Sequence, residues 1–125
     1  RDMFMAKIRT VGNIHHAFWL GSGKKLPVVS VFHYNGKNII VGCHGENGFD
    51  GEEVRGISPT KYYIYTLRWT DSEMVWYINN VEVYRTGRNL PKEELFLAIS
   101  SFIDEHQRAM EGQMNVAWVR VFENS

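Results

Sequence analysis

The feature that most constrains the fold is a series of short apolar or β-branched runs, each about the length of one strand. Clusters of glycine, asparagine, serine and proline separate them, and such clusters mark turns. Many short strands at regular turn spacing are typical of β-sandwiches and barrels. The sequence therefore predicts an all-β fold. The predicted strands lie within 3–8, 17–20, 28–32, 38–43, 62–69, 74–78, 81–84, 95–99 and 114–122, and the breakers at 12–13, 21–23, 35–36, 45–51, 58–59, 70–71 and 87–91.

Two of these segments carry the clearest local signals. In 62–69, Tyr63, Tyr65, Leu67 and Trp69 alternate and so share one face of a strand. The pair Asn79–Asn80 separates two runs, and asparagine tolerates the positive φ of a tight hairpin turn. Residues 91–95 and 104–111 have helix-compatible composition, but both are predicted to be loops.

Composition sets limits on the class of protein. The chain has 125 residues, enough for one domain, and we assign 1–125 to it. Formal charge is zero, which argues against a nucleic-acid partner or an anionic membrane surface. No apolar run approaches the roughly 20 residues of a membrane-spanning helix. Cys43 is the single cysteine, so no intrachain disulfide is possible.

Aromatic residues make up 14% of the chain, as suits either a sandwich core or stacking platforms for flat ligands. The four tryptophans illustrate both uses. Trp69, Trp76 and Trp118 stand at strand spacing and are predicted to lie in the core. For Trp19 the sequence favours neither a position in the core nor one on a ligand platform.

Four blocks of the sequence, in this order, resemble glycoside hydrolase family 16, which comprises laminarinase-, lichenase- and agarase-like enzymes. Their order and spacing carry the resemblance more than any single block. The blocks are 3–9 with 16–20, then 27–33, then 63–83, and last 89–91 with 95–101 and 114–123. The resemblance implies a concanavalin A-like lectin/glucanase jelly roll, a β-sandwich of antiparallel sheets.

The same resemblance implies that strands are missing. The family domain is longer, and its first strands would precede Arg1, so we expect an N-terminally incomplete domain, either trimmed or processed. Bare sheet edges invite pairing, and a partner strand or homo-oligomer is expected to complete the sandwich. The family's structural calcium is held partly by an aspartate, and Ala117 stands at that position. No cofactor and no metal are therefore expected.

The segment 27–33 stands where the family carries its catalytic strand. Retaining glycosidases need two carboxyl groups about 5 Å apart. By resemblance the three acidic positions are occupied by Val28, Ser30 and His33. Residues two apart share a face, and a β-bulge would return the third side chain to it. Valine cannot act as a nucleophile and serine can only hydrogen-bond, while histidine could donate a proton near neutral pH.

Other acidic residues do not suggest a replacement pair. Glu52–Glu53, Glu93–Glu94 and Asp104–Glu105 are adjacent in the chain. Neighbours on a strand point to opposite faces, and in loops such pairs are usually solvated. The sequence thus predicts a catalytically inactive relative of the hydrolases.

Such a cleft could still bind sugar through aromatic rings and polar side chains. The predicted carbohydrate-binding residues are Trp19, His33, Tyr34, Asn35, His44, Ser101 and Phe102. His33 and His44 could also form a metal pair, but two histidines without a third ligand are a weak signal.

Three functions follow from these observations. The first is an inactive domain that binds a polysaccharide or oligosaccharide, such as a β-glucan or galactan. The second is an active endo-glycosidase with unconventional acids. The third is an interaction or structural module completed by another chain. The family resemblance implies an extracellular or periplasmic location.

Overall fold

A computed structural model describes residues 2–88, 90–102 and 112–123, and shows ten strands in these ranges. The strands are β1 (Asp2–Gly12), β2 (His15–Gly21), β3 (Val28–Tyr34), β4 (Ile39–Gly45), β5 (Gly48–Val54), β6 (Tyr63–Trp69), β7 (Met74–Ile78), β8 (Val81–Thr86), β9 (Phe96–Phe102) and β10 (Gly112–Glu123). Segment 91–95 is a loop, as predicted, whereas 104–111 and Asn89 lie outside the described residues. Within the described ranges there is no helix that could span a membrane.

The strands form two five-stranded antiparallel sheets. In the first sheet the order is β10-β1-β6-β7-β8, and in the second it is β5-β4-β3-β2-β9. The long pairing of β1 with β10 joins Asp2 to Glu123, while β1 pairs with β6 on its other side. This is the all-β antiparallel sandwich that the turn-separated runs predicted.

The core lies between the two sheets and follows the period of two along each strand. On β1, Phe4, Ala6 and Ile8 are buried while the residues between them are only partly so. Phe18 and Leu20 contribute from the second sheet. The alternate residues of β6 also pack into this core, as the sequence predicted: Tyr63, Tyr65, Leu67 and Trp69.

Two predictions about elements were wrong. Segment 45–51 was expected to be only a breaker, but Gly48–Val54 forms β5 through seven paired positions with β4. Backbone pairing along an existing edge outweighs the low strand propensity of its glycines. Trp118 was expected in the core, but it pairs with Lys7 on the outer face of the first sheet, where the Arg120 guanidinium lies 4.4 Å from its ring.

One flank of the sandwich is closed by hydrogen bonds between the sheets. The hydroxyl of Tyr84 and the Oγ1 of Thr86, both on β8, donate to the carboxylate of Asp50 on β5. The Thr86 bond is 2.6 Å long. Because β5 and β8 are the edge strands on this side, these bonds tie the two sheets together there; we call them the Asp50 clasp.

Candidate functional site

The candidate site is built on β3, which carries a β-bulge. Phe18 pairs with Phe32 and Trp19 pairs with Ser30, so Val31 has no partner of its own on β2. The pairing of β3 with β4 shifts between Ser30 and His33 as well. The extra residue returns His33 to the face that carries Val28 and Ser30. We call this outer face of the second sheet the site face.

A tryptophan from the first sheet supports the bulge from the inside. The indole Nε1 of Trp76, which is fully buried, donates a 2.8 Å hydrogen bond to the backbone carbonyl of Ser30. A bulge leaves ladder groups without strand partners, and a buried carbonyl needs one. Trp76 supplies it, so the core fixes the backbone on which the site face depends.

The three positions at the centre of the site face carry no carboxylate. Val28 and His33 are half-buried and Ser30 is buried. One carboxylate does lie on this face: Glu53 pairs with Ile40, which pairs with His33. Two strand spacings put it about 10 Å from His33. Glu53 also lies 3.9 Å from Arg55, an exposed ion pair.

Trp19 lies over a glycine and leaves part of its ring exposed. Three atoms of its six-membered ring occupy the space where a β-carbon on Gly21 would point. Its Nε1 donates a 3.0 Å hydrogen bond to the Oγ of Ser100 on the neighbouring strand β9. The indole is thus held against the sheet surface and is partly accessible to solvent.

Phe49 makes a second aromatic surface on the same face. Its ring lies over Gly42 and Gly51, which pair with each other across β4 and β5. The φ of Gly42 is +146°, a conformation that favours glycine. His44 lies beside this ring, with ring centroids 4.6 Å apart. Glycines therefore make room for both aromatic side chains.

Two imidazoles and a phenyl ring form the third part of the site face. His15 Nδ1 and His33 Nε2 lie 3.2 Å apart, a hydrogen bond in which one ring N–H donates and the other ring nitrogen accepts. Phe102 stacks on His15 with centroids 4.6 Å apart. Burial lowers the pKa of His33 from 6.5 to about 4, with further lowering by His15 and His44. His33 is therefore neutral at neutral pH.

The structure brings four of the predicted sugar-binding residues to the site face: Trp19, His33, His44 and Phe102. It corrects the position of two others. Tyr34 packs in the core and its hydroxyl donates to the Gly12 carbonyl. Ser101 turns to the inner side, where its Oγ lies 2.7 Å from the Nδ1 of buried His16.

Asn35, the remaining predicted residue, has a structural use in the turn after β3. Its Oδ1 accepts hydrogen bonds from the backbone N–H of Lys37 at 3.0 Å and of Asn38 at 2.7 Å. Asparagine commonly folds turns in this way. Its carbonyl oxygen is thus engaged by the turn itself.

Sequence reasoning missed three residues of the site face: His15, Phe49 and Ser100. His15 stands two residues before Ala17 and four before Trp19, and that spacing places it on the same strand face. Phe49 was hidden by the glycines of β5. Ser100 was missed because adjacent residues of a strand point to opposite faces, and only the pairing of β9 with β2 decides which of the two serines faces outward.

Metal ligation finds no geometric support in the described ranges, where no three His, Cys, Asp or Glu residues cluster. His44 pairs with Val28 and His33 with Ile40, so the row of Ser30 and Gly42 separates the two histidines. Two pockets of about 350 Å³ lie elsewhere, one along β5 and the loop to Pro59, the other on the outer face of the first sheet.

No known protein-family model matches the chain, and no curated protein matches it in sequence. Solved structures do match. An endo-acting O-glycanase from the human gut microbiota aligns with 99% of this chain and 69% of its own, at 18% identity and a TM-score of 0.72. The laminarinase catalytic domain of Thermotoga maritima MSB8 aligns with 98% and 64%, at 12% identity and a TM-score of 0.73.

A glycoside hydrolase family 16 endo-glucanase from Bacteroides ovatus aligns with 97% of this chain and 69% of its own, at 15% identity and a TM-score of 0.70. These likenesses show that the fold is the family 16 jelly roll, as the sequence resemblance predicted. The chain spans 64–69% of the length of these three proteins.

Proposed function

We propose that residues 1–125 form one catalytically inactive domain of this fold that binds a polysaccharide or oligosaccharide on the site face. The observation that carries the proposal is the position of Trp19, whose indole lies over Gly21 and is tied to Ser100. A ring held against a sheet with part of its surface accessible is suited to stack on the apolar C–H face of a sugar. The proposed ligand class is a β-glucan or a galactan.

A second ring gives the site face the length that an oligosaccharide needs. Gly21 lies on β2, while Gly42, under Phe49, lies on β4. Two strand spacings and an offset of two residues along the strand separate these positions by roughly 12 Å. His44 stands beside Phe49 and offers a polar group to sugar hydroxyls. Aromatic surfaces with a few polar groups are typical of ligand sites.

The absence of catalysis is supported by what stands at the catalytic positions. Retaining glycosidases hold two carboxyl groups about 5 Å apart, and inverting enzymes hold two at roughly 6.5–9.5 Å. The site face offers Glu53 on an edge strand, about 10 Å from His33 by strand spacing, with Val28 and Ser30 in place of acids. A single exposed carboxylate cannot act as both nucleophile and acid.

The alternative of an active endo-glycosidase would rely on His33 as the proton donor. The environment of His33 argues against this role, because burial lowers its pKa to about 4 and an unprotonated ring has no proton to donate at neutral pH. We expect no release of reducing sugar from laminarin, lichenan or agarose. Activity that disappears in His33→Ala would overturn the proposal of an inactive domain.

Binding can be tested by calorimetry with laminarin, mixed-linkage glucan, agarose and mucin O-glycans, which cover substrates named for the similar enzymes and for the family. We expect Trp19→Ala to weaken binding by about tenfold or more, equivalent to roughly 1.4 kcal/mol. Trp118→Ala is the matched control, since Trp118 is also partly exposed but lies on the outer face of the other sheet. Its affinity should equal that of the wild type.

Two outcomes would contradict the proposal: binding to none of these glycans, or equal losses of affinity in Trp19→Ala and Trp118→Ala.

A polysaccharide ligand also implies that the protein works outside the cytoplasm. We propose an extracellular or periplasmic location on that ground.

A further inference from the structure

Exposed apolar side chains are concentrated on the two edge strands β9 and β10. Of twelve large apolar side chains exposed among the described residues, seven lie on these strands. Scattered exposed apolar residues are normal, whereas a cluster marks an interaction surface. The seven are Phe96, Leu97, Ile99, Phe102, Val119, Val121 and Phe122.

Four of the seven point inward, toward the space between the sheets. On β9, Leu97 pairs with Leu20 and Ile99 with Phe18, so each shares its partner's inner face. The partners are 1% and 0% exposed, yet Leu97 is 37% and Ile99 48% exposed.

The same contrast holds on β10 in the opposite sheet. Val119 pairs with Ala6 and Val121 with Phe4, both buried, but Val119 is 38% and Val121 47% exposed. The core is therefore uncovered along one flank, which we call the open flank: the outer edges of β9 and β10 with Leu97, Ile99, Val119 and Val121.

The edge at β9 lacks the devices that keep edge strands apart. Charged side chains, prolines and short length normally protect an edge. The seven residues of β9 include no charge and no proline. The strands of the other flank are different: β5 carries Asp50, Glu52 and Glu53, and β8 carries Glu82 and Arg85.

The other flank is also closed by the Asp50 clasp, which joins β5 to β8. Nothing comparable joins β9 to β10 in the described ranges, and no described strand pairs with their outer edges. Among the described strands, one flank is thus closed by contacts between the sheets and the other has two unpaired edges.

We propose that the open flank pairs with the open flank of a second copy of this chain. A single twofold axis normal to the sheets, placed at the flank, sets β9 antiparallel beside β9 of the partner. The same axis sets β10 antiparallel beside β10 of the partner. Antiparallel pairing with the same patch on both copies is the isologous geometry of a twofold dimer.

Such a dimer pairs the strand edges and covers the inward apolar side chains that the monomer leaves exposed. Each sheet becomes ten strands wide, and the inward side chains of the two flanks cover one another. The seven exposed side chains of β9 and β10 offer an apolar surface on the order of 1,000 Å² over both copies, about the minimum for a biological interface, and the paired strand edges add backbone hydrogen bonds. The formal net charge of zero adds no overall repulsion between copies.

The pairing is tested by light scattering after size exclusion, over a dilution series from tens of micromolar downward. We expect the mass of two copies of the 14.5 kDa chain. Ile99→Lys and Val121→Lys place a charge in the interface and should give monomers. Val81→Lys is the matched control, because Val81 is 65% exposed on β8 at the closed flank, and it should remain dimeric.

Hydrogen exchange of the wild type keeps the test independent of variant folding. Amides of Phe96–Phe102 should lose protection on dilution, while those of β8 should not change. A monomer throughout the series would overturn the proposal, as would a dimer that persists in both flank variants. Neither measurement uses a glycan, so failure of the dimer proposal and failure of the carbohydrate proposal can be distinguished.

Discussion

Gly21 controls how the indole of Trp19 lies on the site face. A side chain at position 21 would occupy the space of the Trp19 six-membered ring. We expect Gly21→Ala to lift the ring from the sheet and to weaken glycan binding about tenfold, much as Trp19→Ala does. Gly45→Ala is the control, since a β-carbon there meets nothing within 4 Å.

Calorimetry with the best-binding glycan measures both glycine variants. Their melting temperatures should be close to that of the wild type, because the flexible indole can move away from the new methyl group. Unchanged affinity in Gly21→Ala would show that the seated position of Trp19 has no part in binding.

Cys43 is a buried thiol in the core. Burial raises its pKa to about 11, and the carboxylates of Asp50 and Glu93 contribute to the rise. Because the thiolate is the reactive form, we expect no reaction with a disulfide reagent at pH 8 in the folded protein. After denaturation the thiol should titrate fully; Val81→Cys, which adds an exposed thiol, should react at once in the native state.

At the scale of residues, the sequence was sufficient to place Trp19 and His33, since alternation along β2 and β3 needs only local information once the bulge is allowed. It was insufficient for Ser100 and Ser101. Which of two adjacent serines faces outward depends on the pairing of β9 with β2, about eighty residues earlier in the chain.

At the scale of elements, the Asp50 clasp is the contact that joins β5 to β8. Burial raises the pKa of Asp50, but hydrogen bonds from Thr86 and Tyr84, together with Arg88, outweigh it and lower the pKa from 3.8. A lowered carboxyl pKa in the folded state means that ionised Asp50 favours folding. This contribution is present above the unfolded-state value and is lost as the pH falls below about 4.

We therefore expect Asp50→Asn to lower the free energy of unfolding by about 1–2 kcal/mol at pH 7 and by less near pH 3. Denaturant unfolding at the two pH values measures the difference. Glu46→Gln, in the turn between β4 and β5, should change neither value. An equal loss for Asp50→Asn at both pH values would contradict the role given to its charge.

Elements also show where local patterns are enough. Asn79 and Asn80 have φ of 49° and 66°, the tight turn that their residue type predicted between β7 and β8. The strand β5 was not predictable in this way. Its glycines read as a turn, and it becomes a strand because β4 presents a free edge next to it.

The bulge in β3 was predictable from the sequence only in part. The spacing of Val28, Ser30 and His33 suggested an extra residue, and the pairing with β2 shows it at Val31. What the sequence did not reveal is that Trp76, in another sheet, donates to the carbonyl at the bulge. Contacts between sheets depend on how the layers stack, which no short stretch of sequence specifies.

At the scale of the whole molecule, the two flanks differ in polarity. The closed flank carries charges and the clasp, the open flank carries apolar residues, and the site face lies on the second sheet between β5 and β9. A dimer through the open flanks would place two site faces side by side on one continuous sheet. Long glycans would then bind both copies, with a gain in avidity set by their spacing.

The pairing of β1 with β10 has a consequence for synthesis. Strand β1 leaves the ribosome before the other nine strands, yet one of its partners, β10, is the last of the ten to be made. Until then β1 presents an unpaired edge and an apolar row of Phe4, Ala6 and Ile8. Closing a loop that joins Asp2 to Glu123 is slow, because distant pairing must overcome chain entropy first. The nascent chain is therefore exposed to misassociation until β10 has been made.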